Sequence, residues 1–494
     1  MTKFDPFQSE VLARINAPER PSLFVEARAG SGKTTILIEA CKEADSPVRI
    51  VAFDRKIADE FTKRLEAFQG TSGFHKASTL HSLALQVFPK VPNKKIQVKS
   101  SKIGDIIREQ GNFNEQEKET VEDVIRGLRN HFTEDPDVIR EFIEAANFPL
   151  PEPGEESKDW FSIIQKTLSI SQDLFSSEQI IDFDEMLYFP LKYGWRLPKF
   201  TRLFTDEVQD FNPIQMEWLA RLLSPASQLV CVGDPFQSIY GFRGAAPNAC
   251  QELVKRFGLT VLPMPTTYRC KRSIVDQAQR IVSDIVAPDW QQEGLVLRVE
   301  ESTRLSTLVD PAQRTFVLAR THAKLIPIAL NLLRRNQPFT YVTDKLNTRL
   351  WFWLKAVGST AKRKEPTVAQ IQGAFPEHLE RLSLNKREWA EQLFDVFQSL
   401  AAGLRSLDKA SETLKVLTEI TSNKRQSSLE LSTIHGAKGR EASTVLFFAP
   451  EALPSPFAKT EEELQQELNL TYIAITRAQD RLVFLPEIYL TLEN

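Results

Sequence analysis

Two clusters of residues have the types and spacing that phosphoryl chemistry needs. The first is Ala27-Arg28-Ala29-Gly30-Ser31-Gly32-Lys33-Thr34-Thr35, which follows the apolar run Ser22–Ala27 and opens the amphipathic stretch Lys33–Ala44. Gly30 and Gly32 let backbone N–H groups turn inward around phosphate oxygens, and a helix start adds partial positive charge. In such a loop Ala29, Gly30, Ser31, Gly32 and Thr35 cradle the phosphates. Lys33 reaches the β- and γ-phosphates, and the Thr34 hydroxyl ligates Mg²⁺. The second cluster is Thr205-Asp206-Glu207-Val208-Gln209-Asp210, behind the apolar run at 202–204. Asp206 is placed to hold the Mg²⁺ and Glu207 to orient an attacking water. Taken singly, one is a Gly-Ser turn and the other an acidic loop. In this order, each at the end of an apolar run, they predict hydrolysis of a bound nucleotide such as ATP.

These residues need strands and helices behind them, and the pattern supplies both. Val48–Phe53 precedes Lys56–Phe68, Leu203–Asp206 precedes Pro213–Leu223, Leu229–Gly233 follows, and Thr315–Ala319 precedes Ala323–Arg335. Short β-branched runs alternating with helical stretches predict an α/β fold with parallel sheets. Residues 85–181 and 346–427 break the alternation and are charged and helix-like. The expected organisation is two α/β units, each with a mainly helical insertion. One is 1–84 plus 182–265, interrupted by 85–181. The other is 266–345 plus 428–494, interrupted by 346–427.

Composition narrows the class. The chain has 494 residues, 42% hydrophobic and 26% charged, and a net charge of −3. Dominant disorder is excluded, and no apolar run reaches the ~18 residues of a bilayer span. The start, MTKFDPFQSE, lacks a leader pattern, so a cytoplasmic location is expected. Four cysteines (Cys41, Cys231, Cys250, Cys270) form no CxxC pair, which argues against a zinc or disulfide framework. Without a basic coat, any nucleic-acid site has to be a local groove.

The segment Val232-Gly233-Asp234-Pro235-Phe236-Gln237-Ser238-Ile239-Tyr240-Gly241-Phe242-Arg243-Gly244-Ala245 resembles the third motif of superfamily 1 DNA helicases of the UvrD/Rep/PcrA type. Other motifs of that family follow in order. Phe7-Gln8 resembles its adenine-reading element, and 51–56 and 79–82 its two DNA-contacting motifs. Ile181-Asp182-Phe183-Asp184-Glu185-Met186, Thr267-Tyr268-Arg269-Cys270, 432–441 and 470–478 are similar to the later motifs. The resemblance covers nearly the whole chain except the two insertions. The wording AFDRKIADEF with GFRGA is closer to the compact bacterial and phage members and the F-box DNA helicase branch than to UvrD itself, and a bacterial or phage-encoded protein is expected.

That resemblance implies two RecA-like P-loop motor domains with ATP in the cleft between them, and 3'-to-5' movement on single-stranded DNA. Gln8 is implied to hydrogen-bond adenine, Tyr268 to stack on it and Glu441 to hold the ribose. Gln237 is implied to sense the γ-phosphate, and Arg269 and Arg477 to reach it as arginine fingers. Non-specific strand binding needs aromatic faces and phosphate donors. Phe53, Thr79, His81, Phe183, Tyr240, Phe242, Arg243 and His435 are the candidates. Most relatives carry tryptophan where Phe242 stands.

Two features depart from the family pattern or lie outside it. Arg28 replaces a glycine common in the family's phosphate loop. Lys90, Lys94, Lys95, Lys99 and Lys102 form a basic run with no acidic residue between them; such a run is usually a solvated face, and the functional reading is contact with DNA backbone or with the duplex ahead of the motor. The second insertion is shorter than in larger relatives, and no nuclease domain is expected after the sixth motif.

The expectation is an ATP- and Mg²⁺-dependent DNA helicase acting on single strands and single-strand/duplex junctions in repair, recombination or replication. It is expected to be monomeric, with no membrane partner and unspecified protein partners. The rivals are a translocase that strips proteins from single strands, and a loading factor with a slow ATPase as timer. RNA is compatible with the same stacking and phosphate contacts.

Overall fold

The computed structural model describes residues 4–70, 73–146, 148, 157–239, 246, 248–299, 305–343, 346–361, 365–380, 382, 384–403, 409–422 and 427–487. The chain divides into two compact units, Met1–Pro265 and Thr266–Asn494.

The first unit is built on a parallel sheet. In chain order its strands are β1 (Leu23–Ala27), β2 (Val48–Ala52) and β3 (Lys76–Thr79), a separate pair β4 (Gln97–Val98) and β5 (Ile180–Ile181), then β6 (Arg202–Thr205), β7 (Gln228–Gly233) and β8 (Thr260–Met264). The main sheet runs β3-β2-β6-β7-β1-β8. Alternate side chains enter opposite cores, as a sheet covered on both faces requires. Leu23, Val25, Ile50, Phe204 and Val230 pack on one side with α1 (Pro6–Ile15), α2 (Lys33–Lys42) and α3 (Arg55–Gln69). Phe24, Val51, Leu203 and Leu229 pack on the other with α4 (Leu80–Val87) and later helices.

Between β4 and β5 lie α5 (Lys102–Gln110), α6 (Glu115–Asn130), α7 (Pro136–Ala146) and α8 (Trp160–Glu178). They have a core of their own, including Ile107, Val121, Ile125, Leu128 and Ile164. After β5 come α9 (Glu185–Lys192), α10 (Pro213–Leu222) and α11 (Ala249–Phe257). Their apolar residues Leu187, Phe189, Trp218 and Leu253 complete the second core.

The second unit holds β9 (Leu295–Arg298), β10 (Thr315–Ala319), β11 (Thr340–Tyr341), β12 (Leu429–Thr433), β13 (Ala442–Phe448) and β14 (Ala478–Leu485). They form a parallel sheet in the order β11-β12-β10-β13-β14-β9. Its helices include α12 (Arg272–Ala278), α13 (Leu305–Leu308), α14 (His322–Arg334), α15 (Leu346–Thr360), α16 (Val368–Glu380), α17 (Leu384–Gly403), α18 (Ala410–Ser422), α19 (Ile434–Ala437) and α20 (Glu461–Thr476). Trp353, Phe375, Phe397 and Leu417 join α14–α18 to Val317, Leu431 and Leu446 in one core. Within the motif-like segment 470–478, helix α20 stops at Thr476. The Arg477 carbonyl accepts the Ala442 N–H (3.0 Å), and β14 pairs with β13 from Ala478 onward. Among the described residues, no helix is long and apolar enough to cross a membrane.

Candidate functional site

Parallel sheets place ligands beyond the carboxyl ends of their strands, and the first unit puts its chemical groups there. The loop after β1 holds two left-handed glycines, Gly30 (φ 75°) and Gly32 (φ 87°). A Cβ on Gly32 would crowd the Gln8 amide nitrogen at 3.1 Å, and a residue bearing one would have to adopt the strained left-handed φ, which favours glycine there. Lys33 is the first residue of α2 and is buried. Ser31 Oγ is buried with no hydrogen-bond partner among the described residues. Buried polar atoms normally have partners, so this hydroxyl is suited to a phosphate oxygen, and the loop fits a nucleotide such as ATP.

Gln8 stands at the third position of α1. Its backbone N–H donates to the capping Asp5 (2.7 Å), its Oε1 accepts the Asp5 N–H, and its Nε2 donates to the Ser31 carbonyl (3.0 Å). The residue assigned to adenine thus also braces the phosphate loop.

Asp206 follows β6 and is 2% exposed. Its carboxyl is pushed up to about 7 by burial and by the charge of Glu207, with Lys33 opposing. Its Oδ1 accepts the Glu207 N–H at 2.8 Å. Glu207 has φ 53°, a left-handed conformation that costs energy for a non-glycine residue and recurs at functional sites. Among the described residues no three His, Cys, Asp or Glu side chains form a metal cluster. The Mg²⁺ assignment rests on Thr34 and Asp206; Mg²⁺ bound with nucleotide commonly takes one or two carboxylates plus phosphates and water.

Gln237, beyond β7, donates from Nε2 to Asp234 Oδ2 at 2.7 Å. Gln209 joins this group to Glu207: its Nε2 donates to Glu207 Oε2, and its Oε1 accepts the Asp234 N–H at 3.1 Å. Ser238 Oγ donates to the Gln209 carbonyl (3.2 Å). A Cβ on Gly233 would meet Gln209 Oε1 at 2.8 Å, so the glutamine crosses at a point where glycine is required. Sequence reading passed over Gln209 and Asp234. The available signal was a glutamine two residues from a catalytic-type glutamate.

In the second unit, Arg269 Nε donates to Glu441 and its Nη1 to the Thr476 carbonyl (3.2 Å). Glu441 also accepts from Gln479 (3.0 Å). Arg477 is 1% exposed and its Nη1 donates to the Arg440 carbonyl (3.2 Å). The half-buried Tyr268 lies near-parallel to Trp290, centroids 6.4 Å apart, and Trp290 is 70% exposed. The implied adenine, ribose and γ-phosphate residues of this unit therefore share one neighbourhood around Thr476.

The strand-contact candidates divide into groups. His81 stacks on Phe183, centroids 4.0 Å apart, and Phe183 is 55% exposed. Burial holds the His81 imidazole down at about 4, so it is neutral at pH 7. Thr79 caps α4, accepting the Ser82 N–H (3.1 Å). Phe53 is half-buried against the core that contains α4. His435 lies half-buried in α19. Tyr240, Phe242 and Arg243 lie outside the described residues.

The basic run needs correction. Lys90, Lys94, Lys95 and Lys99 are exposed, but Lys102 is 2% exposed. Its Nζ donates to Glu185 Oε2 and to the Ser171 carbonyl, both at 2.7 Å. Arg129 completes the cluster on Asp182 and Glu185. A buried ammonium needs paired charge, and a carboxylate 83 residues away supplies it.

A parallel α/β unit with a glycine-turned loop before a helix and an acidic pair beyond β6, one strand removed from β1 in the same sheet, is the architecture of P-loop nucleotide-binding proteins. Comparison with known families is more specific. Residues 8–258 match the UvrD/REP helicase N-terminal domain, and residues 362–486 the UvrD-like helicase C-terminal domain. The chain belongs to the UvrD/REP helicase family. It is 25% identical to DNA helicase II of Haemophilus influenzae over 56% of its length and 41% of that protein. It is 26% identical to ATP-dependent DNA helicase Rep of Buchnera aphidicola over 57% and 43%. It is 24% identical to ATP-dependent DNA helicase PcrA of Leuconostoc citreum over 68% and 49%. The matched part is less than half of each relative.

Proposed function

We propose that this chain is an ATP- and Mg²⁺-dependent motor that moves 3'-to-5' on single-stranded DNA and separates duplex ahead of it. What carries the reading is the Glu207–Gln209–Asp234–Gln237 chain of hydrogen bonds. It connects the water-orienting carboxylate to the segment whose continuation holds the strand-stacking candidates Tyr240 and Phe242. In this reading Ala29–Thr35 bind the triphosphate and Thr34 and Asp206 hold Mg²⁺, which supplies charge neutralisation. Gln8 and Tyr268 bind adenine, and Glu441 the ribose. Gln237, Arg269 and Arg477 place polar and positive groups on the transferring phosphoryl, where charge stabilisation counts most.

Phe53, Thr79, His81, Phe183, Tyr240, Phe242, Arg243 and His435 are the proposed strand contacts, with stacking worth ~1–3 kcal/mol per base whatever its identity. The two motor domains are proposed as 1–84 plus 182–265 and 266–345 plus 428–494, with insertions 85–181 and 346–427. ATP hydrolysis with and without a single-stranded oligonucleotide tests the reading, with Lys33→Ala as blank. Turnover that rises on added strand and is absent in Lys33→Ala is expected. Turnover indifferent to DNA contradicts it.

A further inference from the structure

Arg28 is turned back into the first unit and is 4% exposed. Its Nη2 donates to Glu26 Oε1 at 2.9 Å, and its Nη1 lies 3.5 Å from Asp234 Oδ1. The Phe236 ring covers the guanidinium, 4.9 Å from Cζ. The sheet register explains the meeting. Glu26 pairs with Gly233 in the parallel β1–β7 ladder, so Asp234 leaves the sheet at the level of Ala27, one residue short of Arg28, at the same end of the sheet.

Asp234 is fully buried. One oxygen faces Arg28 and accepts the Phe236 N–H (3.2 Å), while the other accepts the Gln237 side-chain N–H. A buried carboxylate keeps its charge and place only with cationic and hydrogen-bonding partners. The cation here is contributed by the phosphate loop itself.

We infer that Arg28 is a positioning residue for Gln237, acting through Asp234 and tying the phosphate loop to the γ-phosphate-sensing amide. Arg28 touches neither nucleotide nor water in this role. It holds Asp234 in place, and Asp234 fixes which end of the Gln237 amide faces the site. Phe236 shields the pair from solvent and so strengthens it. The inference rests on the ATPase reading above.

The test is steady-state ATP hydrolysis at saturating single-stranded DNA, with nucleotide affinity measured separately by titration with a fluorescent ATP analogue. Arg28→Gly is expected to lower kcat roughly tenfold or more while nucleotide affinity and KM move less than about threefold, the signature of lost positioning rather than lost binding. Arg28→Lys, which keeps the charge, is expected to recover most of the rate.

An unchanged kcat in Arg28→Gly overturns the inference, as does a rise in KM alone or a failure of lysine to rescue. If Arg28→Gly does not melt cooperatively, Asp234→Asn replaces it. That change removes the charge needing Arg28 while keeping the shape, and the same loss of kcat is expected; normal turnover overturns the inference. Hydrolysis no faster than the Lys33→Ala blank in the unsubstituted chain overturns the ATPase reading itself.

Discussion

The imidazole of His81 lies flat against the ring of Phe183, their planes inclined by 21°. The two come from segments about a hundred residues apart, one at the start of α4 and the other between β5 and α9. One face of Phe183 is thereby occupied by protein, while more than half of the residue remains exposed. Phe183→Ala is expected to weaken oligonucleotide binding by roughly tenfold, the equivalent of ~1–3 kcal/mol of stacking. Fluorescence anisotropy with a labelled strand reads this. Phe183→Trp should retain binding, and equal loss in both variants would contradict a stacking role.

Burial holds His81 down at about 4, below the usual 6.5. Between those values the unfolded chain binds the proton that the folded chain refuses, so this group's contribution to stability falls as pH drops from about 6.5 to 4 and is fully present above 6.5. The unsubstituted protein is therefore expected to lose more stability over that window than His81→Gln, read as denaturant midpoints at several pH values. Parallel curves for the two would contradict a buried, neutral imidazole.

Gln8 Nε2 braces the Ser31 carbonyl while the same residue is proposed to read adenine. Gln8→Ala should lower ATP affinity about tenfold, near the ~1 kcal/mol of a hydrogen bond. It should also narrow the preference for ATP over GTP. Competition titrations with both nucleotides check this. A loss equal for ATP and GTP would restrict Gln8 to the loop-bracing role.

Much of the first unit was legible because local patterns carry it. Short β-branched and apolar runs mark β1, β2 and β7 to within a residue or two, and Gly30 and Gly32 announce the loop. The contacts that position the chemistry were not legible. Arg28 reads as a loop cation until the adjacent ends of β1 and β7 bring its side chain back to Asp234. Lys102 reads as the end of a surface run until α5 packs on α8 and delivers it to Glu185. Both depend on tertiary pairing, which periodicity does not encode. Within the motif at 470–478, the switch from α20 to β14 is not marked either, because apolar residues continue on both sides of it.

The buried group Lys102, Arg129, Asp182 and Glu185 fastens the α5–α8 helices to the segment bearing Phe183. Removing one member leaves an uncompensated charge, so Glu185→Ala is expected to cost about 3–5 kcal/mol. Urea unfolding reads it. A change below ~1 kcal/mol would mean that the cluster is hydrated rather than buried.

Glu207→Gln keeps the size and removes the charge of the group proposed to orient water. ATP binding should persist while turnover falls by a factor of 100 or more, within the ~10²–10⁴ range of general-base contributions. Rapid-quench measurement of one turnover separates this from slow product release. Near-normal chemistry would move the role elsewhere.

The most direct test of the central proposal is strand separation on duplexes carrying a 3' or a 5' single-stranded tail, with ATP and Mg²⁺ and Lys33→Ala as blank. The account predicts unwinding of the 3'-tailed duplex only. Unwinding of the 5'-tailed duplex only would contradict the assigned direction. Failure to open either, with hydrolysis still stimulated by single strands, would contradict unwinding and favour a motor that strips bound proteins from the strand.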